Sequence, residues 1–274
     1  MKKFEGCLLL TDVDNTLVAN GYINPKTIER INNFTQNGGY FTLATGRTFG
    51  GTTHVVEQGF VNAPVLCCNG GTIFDWQKGE AVYRKNLLRS DKERVAEILD
   101  KFSHISAEVQ DGDNVYLVND GEAMRWHLEY EHIPLKLAKA KDLLDIEWHK
   151  AIFGSRDMNE LKEIEEYAKT VTFDNVRVLY TSSGLGVEYL EFHPMESTKS
   201  QGAEVLKNML GCTKLYTIGD YYNDIDMLES GDVSACVQDA PEDVKKVSDY
   251  IVCSARDGAV GEFIDIIERL ESSK

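Results

Sequence analysis

This sequence predicts an α/β fold: a parallel sheet whose two halves are separated in the chain by an inserted α+β unit. Three observations carry that reading. Short apolar strands alternate with amphipathic helices through residues 1–81. Runs of strands around two or three helices occupy residues 82–191, and the strand–helix alternation resumes over residues 192–274. The length of 274 residues also suits two domains of roughly 150 residues each.

The elements follow in order. Cys7 to Leu10 is a short apolar strand. Asn24-Pro25 supplies a helix cap and a first-turn proline, Ile28, Ile31 and Phe34 recur at helical spacing, and Gly38-Gly39 ends that helix. Tyr40 to Ala44 and Val65 to Cys68 read as strands, the second running into Asn69-Gly70-Gly71. In the insertion, Ser90 and Glu93 predict a capping box for a helix through Phe102. Strands are expected near 106–109, 115–118, 177–181 and 187–192, with helices from Glu122 and from Asp157. A helix from about Thr198 then precedes the strand Leu215–Ile218. A short helix, the strand Ser234–Val237, a helix from Pro241, the strand Tyr250–Val252 and an amphipathic helix over 261–270 complete the chain.

Composition excludes several classes. With 42% hydrophobic and 27% charged residues the chain is neither disordered nor collagen-like. Against 29 bases, 45 acids leave a net charge of −16, which repels nucleic acid and anionic membranes, so neither is expected as a partner. No apolar run approaches the ~18 residues of a membrane-spanning helix. The apolar run after Lys2-Lys3 stops after four residues, too short for a secretory leader. Six cysteines without CxxC spacing, mostly in strand-like segments, fit a reducing, cytoplasmic setting.

Four segments carry the chemistry. In LLLTDVDNTL, Asp12 and Asp14 follow an apolar strand at i and i+2, which turns both to one side of an extended chain. Two carboxylates so close are costly unless a cation sits between them or one is protonated. In LATGR, the Thr45 hydroxyl, Gly46 and nearby backbone N–H groups suit phosphate oxygens, and Arg47 adds charge. Lys199 opens a later helix. In TIGDYYNDIDML, Asp220, Asn223 and Asp224 follow a strand within one turn, a hard-oxygen set that suits Mg²⁺. Each alone has a plainer reading: a turn, a solvated lysine or an acidic helix start.

Together, in this order and spacing, the four segments resemble the haloacid dehalogenase-like phosphatases, and specifically their Cof-type subgroup, with its large insertion between the second and third motifs. Asn69-Gly70-Gly71 and the closing ARDGAV segment are similar to this family as well. The resemblance implies a Rossmann-like core, residues 1–81 and 192–274, and an inserted α+β cap, residues 82–191. It implies Asp12 as the nucleophile forming an aspartyl-phosphate. Asp14 would be general acid and then base, its backbone carbonyl on Mg²⁺. Thr45 and Lys199 would hold the phosphoryl group. Asp12, Asp220 and Asp224 would surround the metal, with Asn223 near the phosphate. Gly46 and Arg47 complete the expected substrate-binding set. The substrate class implied is small phosphomonoesters such as sugar phosphates; a phosphomutase and a catalytically silent binding protein are the alternatives.

Two positions depart from the family pattern. Asn15 stands where the subgroup commonly has glycine, and Asn is the next most tolerant of left-handed backbone. Ser200-Gln201-Gly202 follows Lys199, where glycine more often comes directly after the lysine. In the cap, Tyr116, Trp126, His127 and Trp148 are candidate ligand contacts, with Trp126 and His127 better read as packing their helix on the cap sheet.

Overall fold

A computed structural model describes residues 2–111, 114–130, 133–183 and 185–272. The chain divides into two compact units, residues 1–83 with 198–274, and residues 84–197.

The first unit begins with β1 (Cys7–Thr11), α1 (Pro25–Gln36), β2 (Tyr40–Leu43), the single turn α2 (Thr53–Val56), β3 (Val65–Cys67), β4 (Thr72–Asp75) and β5 (Glu80–Arg84). The second unit holds α3 (Arg89–Lys101), β6 (Ser106–Gln110), β7 (Val115–Asn119), α4 (Glu122–Tyr130), β8 (Lys150–Ser155), α5 (Met158–Ala168), β9 (Val176–Ser182) and β10 (Glu188–Pro194). The chain then returns to the first unit with α6 (Lys199–Met209), β11 (Lys214–Gly219), α7 (Ile225–Ser230), β12 (Val233–Val237), α8 (Glu242–Val247), β13 (Tyr250–Val252) and α9 (Ala259–Ser272).

In the first unit the sheet order is β13-β12-β11-β1-β2, with every pair parallel. β1 lies between β11 and β2 and is buried throughout, which is why it reads as a continuous apolar run instead of an alternating one. Leu9 packs on one face with Phe34, Phe41 and Phe263, while Leu8 and Leu10 pack on the other with Ala203 and Leu206. α1 starts as its sequence dictates: Asn24 Oδ1 accepts from the Lys26 amide at 3.0 Å, Pro25 follows, and Ile31 and Phe34 are buried.

The second unit is a five-stranded antiparallel sheet, β7-β6-β8-β10-β9. Val109, Phe153, Leu190 and Phe192 face the α3 and α5 side with Val95, Leu99, Leu161 and Ile164. Val115, Leu117, Ile152 and Tyr189 pack with Met124 and Leu128 of α4.

Several local expectations change. The chain passes from one unit to the other at 83/84, inside β5, and at 197/198, where the expectation is 81/82 and 191/192; the second shifts because β10 runs through 191/192 to Pro194. β4, β5 and β8 are additions to the strands that the sequence predicts. The capping box does not form: α3 begins at Arg89 with Leu88 at its cap, and Ser90 Oγ donates to Asp174 instead. Trp148 is no ligand contact: it is fully buried, with Nε1 donating to the Leu143 carbonyl at 2.8 Å. His127 Nδ1 lies 3.1 Å from Glu108, and Trp126 packs against the α4 cluster. Cys7, Cys67, Cys68, Cys212 and Cys236 are buried, unbridged small hydrophobes. Among the described residues no helix is long and apolar enough to cross a membrane.

Candidate active site

Parallel strands direct their carboxyl ends to one edge of a sheet, and the loops there form the usual ligand crevice of α/β folds. β1, β2 and β11 are neighbours in register, Thr11 pairing with both Leu43 and Ile218. Asp12, Thr45 and Asp220 therefore emerge side by side. The Asp12 amide extends the ladder by one bond, to the Ile218 carbonyl at 2.9 Å, which fixes where its side chain leaves the sheet. Asn15 takes the left-handed conformation, φ 59°, as its type permits, and closes the loop through its amide to the Val18 carbonyl at 2.8 Å.

Lys199 is the first residue of α6 and is fully buried. Its helix entry survives the departure from the family pattern because Thr198 caps it, Oγ1 accepting from the Gln201 amide at 3.2 Å. Lys199 Nζ donates to Asp12 Oδ1 at 2.7 Å and to Asp224 Oδ1 at 2.6 Å. The approach depends on Gly70, φ 92°: a Cβ there would lie 1.9 Å from the Thr198 carbonyl oxygen. Gly219 has a similar role, since a Cβ would come within 2.5 Å of Asp224 Cγ.

Asp12, Asp220 and Asp224 each place a carboxylate oxygen within 4.8 Å of the others. Asp224 is the most committed of the three. Besides its bond from Lys199, its Oδ2 accepts from the amides of Asp220 at 3.0 Å and Tyr221 at 3.1 Å. Asp224 thus shapes the loop and anchors the lysine, leaving Asp12 and Asp220 with the larger share of open lone pairs. Three carboxylates against one ammonium leave two uncompensated charges. Burial, opposed by Lys199 and reinforced by Asp224 and Asp220, pushes Asp12 well above the usual carboxylate range. Burial and the Asp224 carboxylate push Asp220 up to about 7. Burial works against the Lys199 charge, but Asp12 and Asp224 outweigh it and raise its pKa. An all-oxygen, electron-rich set of this kind fits a hard divalent cation.

The remaining expected residues divide. Thr45 is buried, and its Oγ1 accepts from the Arg47 amide at 3.2 Å, so its own proton is left to donate. Gly46 packs against the Asn69 side chain, a Cβ there lying 3.2 Å from Asn69 Oδ1. Asn223 Nδ2 donates to Asn69 Oδ1 at 3.3 Å. The Asp14 carboxylate stands apart from the acidic cluster, with its side chain 52% exposed. Both its oxygens accept from Arg47, which was expected at the phosphate: Nε to Oδ2 and Nη2 to Oδ1, each 2.9 Å.

Two contributors carry no mark of their own in the sequence. Thr16 is buried, and its Oγ1 donates to Asp220 Oδ1 at 2.9 Å. Asn69 is held in a left-handed turn with Cys68 and Gly70, φ 51°, 53° and 92°, and joins the second motif to the fourth. Both lie in segments already singled out, DVDNT and Asn69-Gly70-Gly71; only a contact in space reveals what they touch.

The family model for haloacid dehalogenase-like hydrolases matches residues 9–264. The chain belongs to the haloacid dehalogenase-like hydrolase family. It is 26% identical over 287 aligned positions to a Bacillus subtilis 5-amino-6-(5-phospho-D-ribitylamino)uracil phosphatase, YwtE, covering 93% of this chain and 95% of that protein. Its fold matches a haloacid dehalogenase-like hydrolase from Bacteroides thetaiotaomicron at a TM-score of 0.80 and 24% identity, over 95% of this chain and 99% of the other. It also matches BT4131, a subclass IIB sugar phosphatase, at a TM-score of 0.79 and 18% identity, over 95% and 98% of the two chains. This haloacid dehalogenase-like hydrolase is an enzyme of the phosphatase kind.

Proposed function

We propose that this phosphatase hydrolyses small phosphomonoesters, sugar phosphates or similar metabolites, with Mg²⁺ and through an aspartyl-phosphate on Asp12. The observation that carries the reading is the Asp12–Lys199 contact of 2.7 Å inside a cluster of three carboxylates at the strand ends. Lys199 occupies Oδ1 of Asp12 and leaves Oδ2 as the attacking oxygen. As Oδ2 bonds to phosphorus, the ester P–O bond breaks and its electron pair passes to the leaving oxygen, which takes a proton from Asp14. Water then attacks phosphorus, gives a proton to Asp14, and releases phosphate and free Asp12.

Thr45 Oγ1 and Asn223 are the donors for the equatorial oxygens, and Asn69 and Gly46 set their positions. Asp12, Asp220, Asp224 and the Asp14 backbone carbonyl are the groups for Mg²⁺, which when bound neutralises charge on the phosphoryl oxygens. Thr16 orients Asp220 for that role. The inserted unit, residues 84–197, acts as the cap that selects the leaving group. A cytoplasmic metabolite is the natural substrate for a cysteine-bearing enzyme without bridges.

The test is phosphate release from a panel of small phosphomonoesters with Mg²⁺ or with chelator, and with Asp12→Asn as control. Metal-dependent turnover that disappears in the variant is expected. A folded protein that releases no phosphate from any ester with Mg²⁺ in excess overturns the proposal.

A further inference from the structure

The Asp14 side chain is oriented by a fork. Arg47 sets Nε against Oδ2 and Nη2 against Oδ1 at 2.9 Å each, and Nη1 donates to the Gly51 carbonyl at 3.2 Å. Two parallel bonds fix the plane of a carboxylate where one would let it turn, and the third bond fixes the guanidinium itself. Arg47 is in turn set by the motif that carries Thr45: its amide donates to Thr45 Oγ1, and its carbonyl accepts from the Cys68 amide at 2.9 Å. The second motif thereby reaches both the phosphoryl-binding threonine and the residue two positions after the nucleophile.

The geometry points to Arg47 as a positioning residue for Asp14, not a ligand of the phosphate. The inference rests on Asp14 being the acid and base of the proposed reaction. When Asp14 gives its proton to the leaving oxygen, the P–O electron pair goes to that oxygen and Asp14 is left as a carboxylate, the form whose two oxygens both accept from the fork. Each oxygen keeps a second lone pair, so the held carboxylate is ready to take the proton of the attacking water. An unforked Asp14, half exposed on a loop, loses that placement. Misplacement by about 1 Å costs on the order of 10²-fold in rate.

The experiment compares kcat/KM, which reports steps up to the first P–O cleavage, for two esters with Mg²⁺ present. One is the best alkyl phosphate of the panel, whose alkoxide needs a proton to leave; the other is 4-nitrophenyl phosphate, whose phenolate does not. For Arg47→Ala the expected result is a loss of about 10²-fold on the alkyl ester with aryl kcat/KM held within about threefold, while aryl kcat falls because water activation also uses Asp14. Retained aryl kcat/KM shows that the variant is folded. Equal losses of kcat/KM on both esters make Arg47 a phosphate ligand and overturn the inference. Arg47→Lys keeps the charge without the fork, so the alkyl defect should persist; full recovery there overturns the fork. Asp14→Asn separates the two levels. If it shows no preference between the esters, the acid role of Asp14 fails; if it discriminates and Arg47→Ala does not, only the positioning role fails.

Discussion

Each unit buries a cluster of charges, and the two clusters are built on opposite principles. In the second unit Glu191 accepts from Lys150 Nζ at 3.0 Å, from His193 Nε2 at 2.6 Å and from the Thr181 hydroxyl. One carboxylate meets one ammonium, and the other donors fill its remaining lone pairs. Burial works against the Glu191 charge, but Lys150 and His193 more than offset it and hold its pKa well below the usual range. In the first unit Lys199 faces Asp12 and Asp224 with Asp220 beside them, and burial drives Asp12 and Asp220 upward. The Glu191 network matches its charges, leaving His193 Nδ1 as a buried nitrogen without a partner among the described residues; the Lys199 network leaves carboxylates in excess, the arrangement that suits the cation and substrate proposed above.

Asp12→Asn should have the largest effect. Loss of the nucleophile should lower phosphate release by at least about 10⁴-fold, while the melting temperature of the metal-free protein holds or rises, because one uncompensated charge is gone. A variant that unfolds instead would place Asp12 among the structural charges. Glu191→Gln should do the reverse: the buried carboxylate that faces Lys150 at 3.0 Å is lost, at a cost of about 3–5 kcal/mol in urea unfolding. A loss below about 1 kcal/mol would deny the second network its stabilising role.

Mg²⁺ sharpens the contrast further. At a concentration a hundredfold above its Kd it should stabilise the protein by about 2.7 kcal/mol, seen as a rise in melting temperature that chelator reverses. Because Asp220 holds a proton up to about 7 in the metal-free protein, the cation competes with that proton. Apparent affinity in calorimetry should therefore rise with pH by about tenfold per unit towards 7, and more steeply where Asp12, also pushed up, gives up a proton as well. An affinity flat from pH 5 to 8 removes Asp220 from the ligand set.

The smallest effect is expected from His193. Burial lowers its pKa below the reference of 6.5 against the pull of Glu191. Above 6.5 both folded and unfolded states are neutral and the contribution is complete. As pH falls through 6.5 the unfolded chain takes up the proton first, so stability declines by up to about 1.4 kcal/mol per unit. Trp126 and Trp148 lie in this unit, so Trp76→Phe protein reports it by fluorescence. Stability that does not fall between pH 6.5 and 5 contradicts the assignment.

What the sequence displays and what it conceals follow the same division. Asp12, Thr45 and Asp220 stand in short motifs just past strand ends and Lys199 at a helix start, so these candidates are legible in the sequence alone, and even the left-handed Asn15 follows from its type. The second unit is legible only in outline. β8 is a central strand, but its apolar core is just Ala151–Gly154 between a lysine and a serine, too short to show a period. Ser90 has the right spacing to Glu93 for a cap, yet Asp174, far along the chain, supplies its partner. The Arg47 fork is hidden for the same reason: a guanidinium near a phosphate motif suggests phosphate until Asp14 is seen within 2.9 Å.

The placement of β1 also has a consequence for the order in which the protein comes into being. β1 lies between β2, which follows soon after, and β11, whose first residue is Lys214. Asp12 and Lys199 are 187 positions apart, so at ribosomal rates of about 5–20 residues per second Asp12 waits roughly 10–40 s for its lysine. The 84–197 unit, continuous in sequence, is complete before β11 (Lys214–Gly219) is made, and until then β1 offers an apolar edge with one side unpaired. The chain that ends just short of β11 thus holds a complete insertion beside an open strand, and the Asp12, Lys199, Asp220 and Asp224 cluster is among the last parts of the molecule to exist.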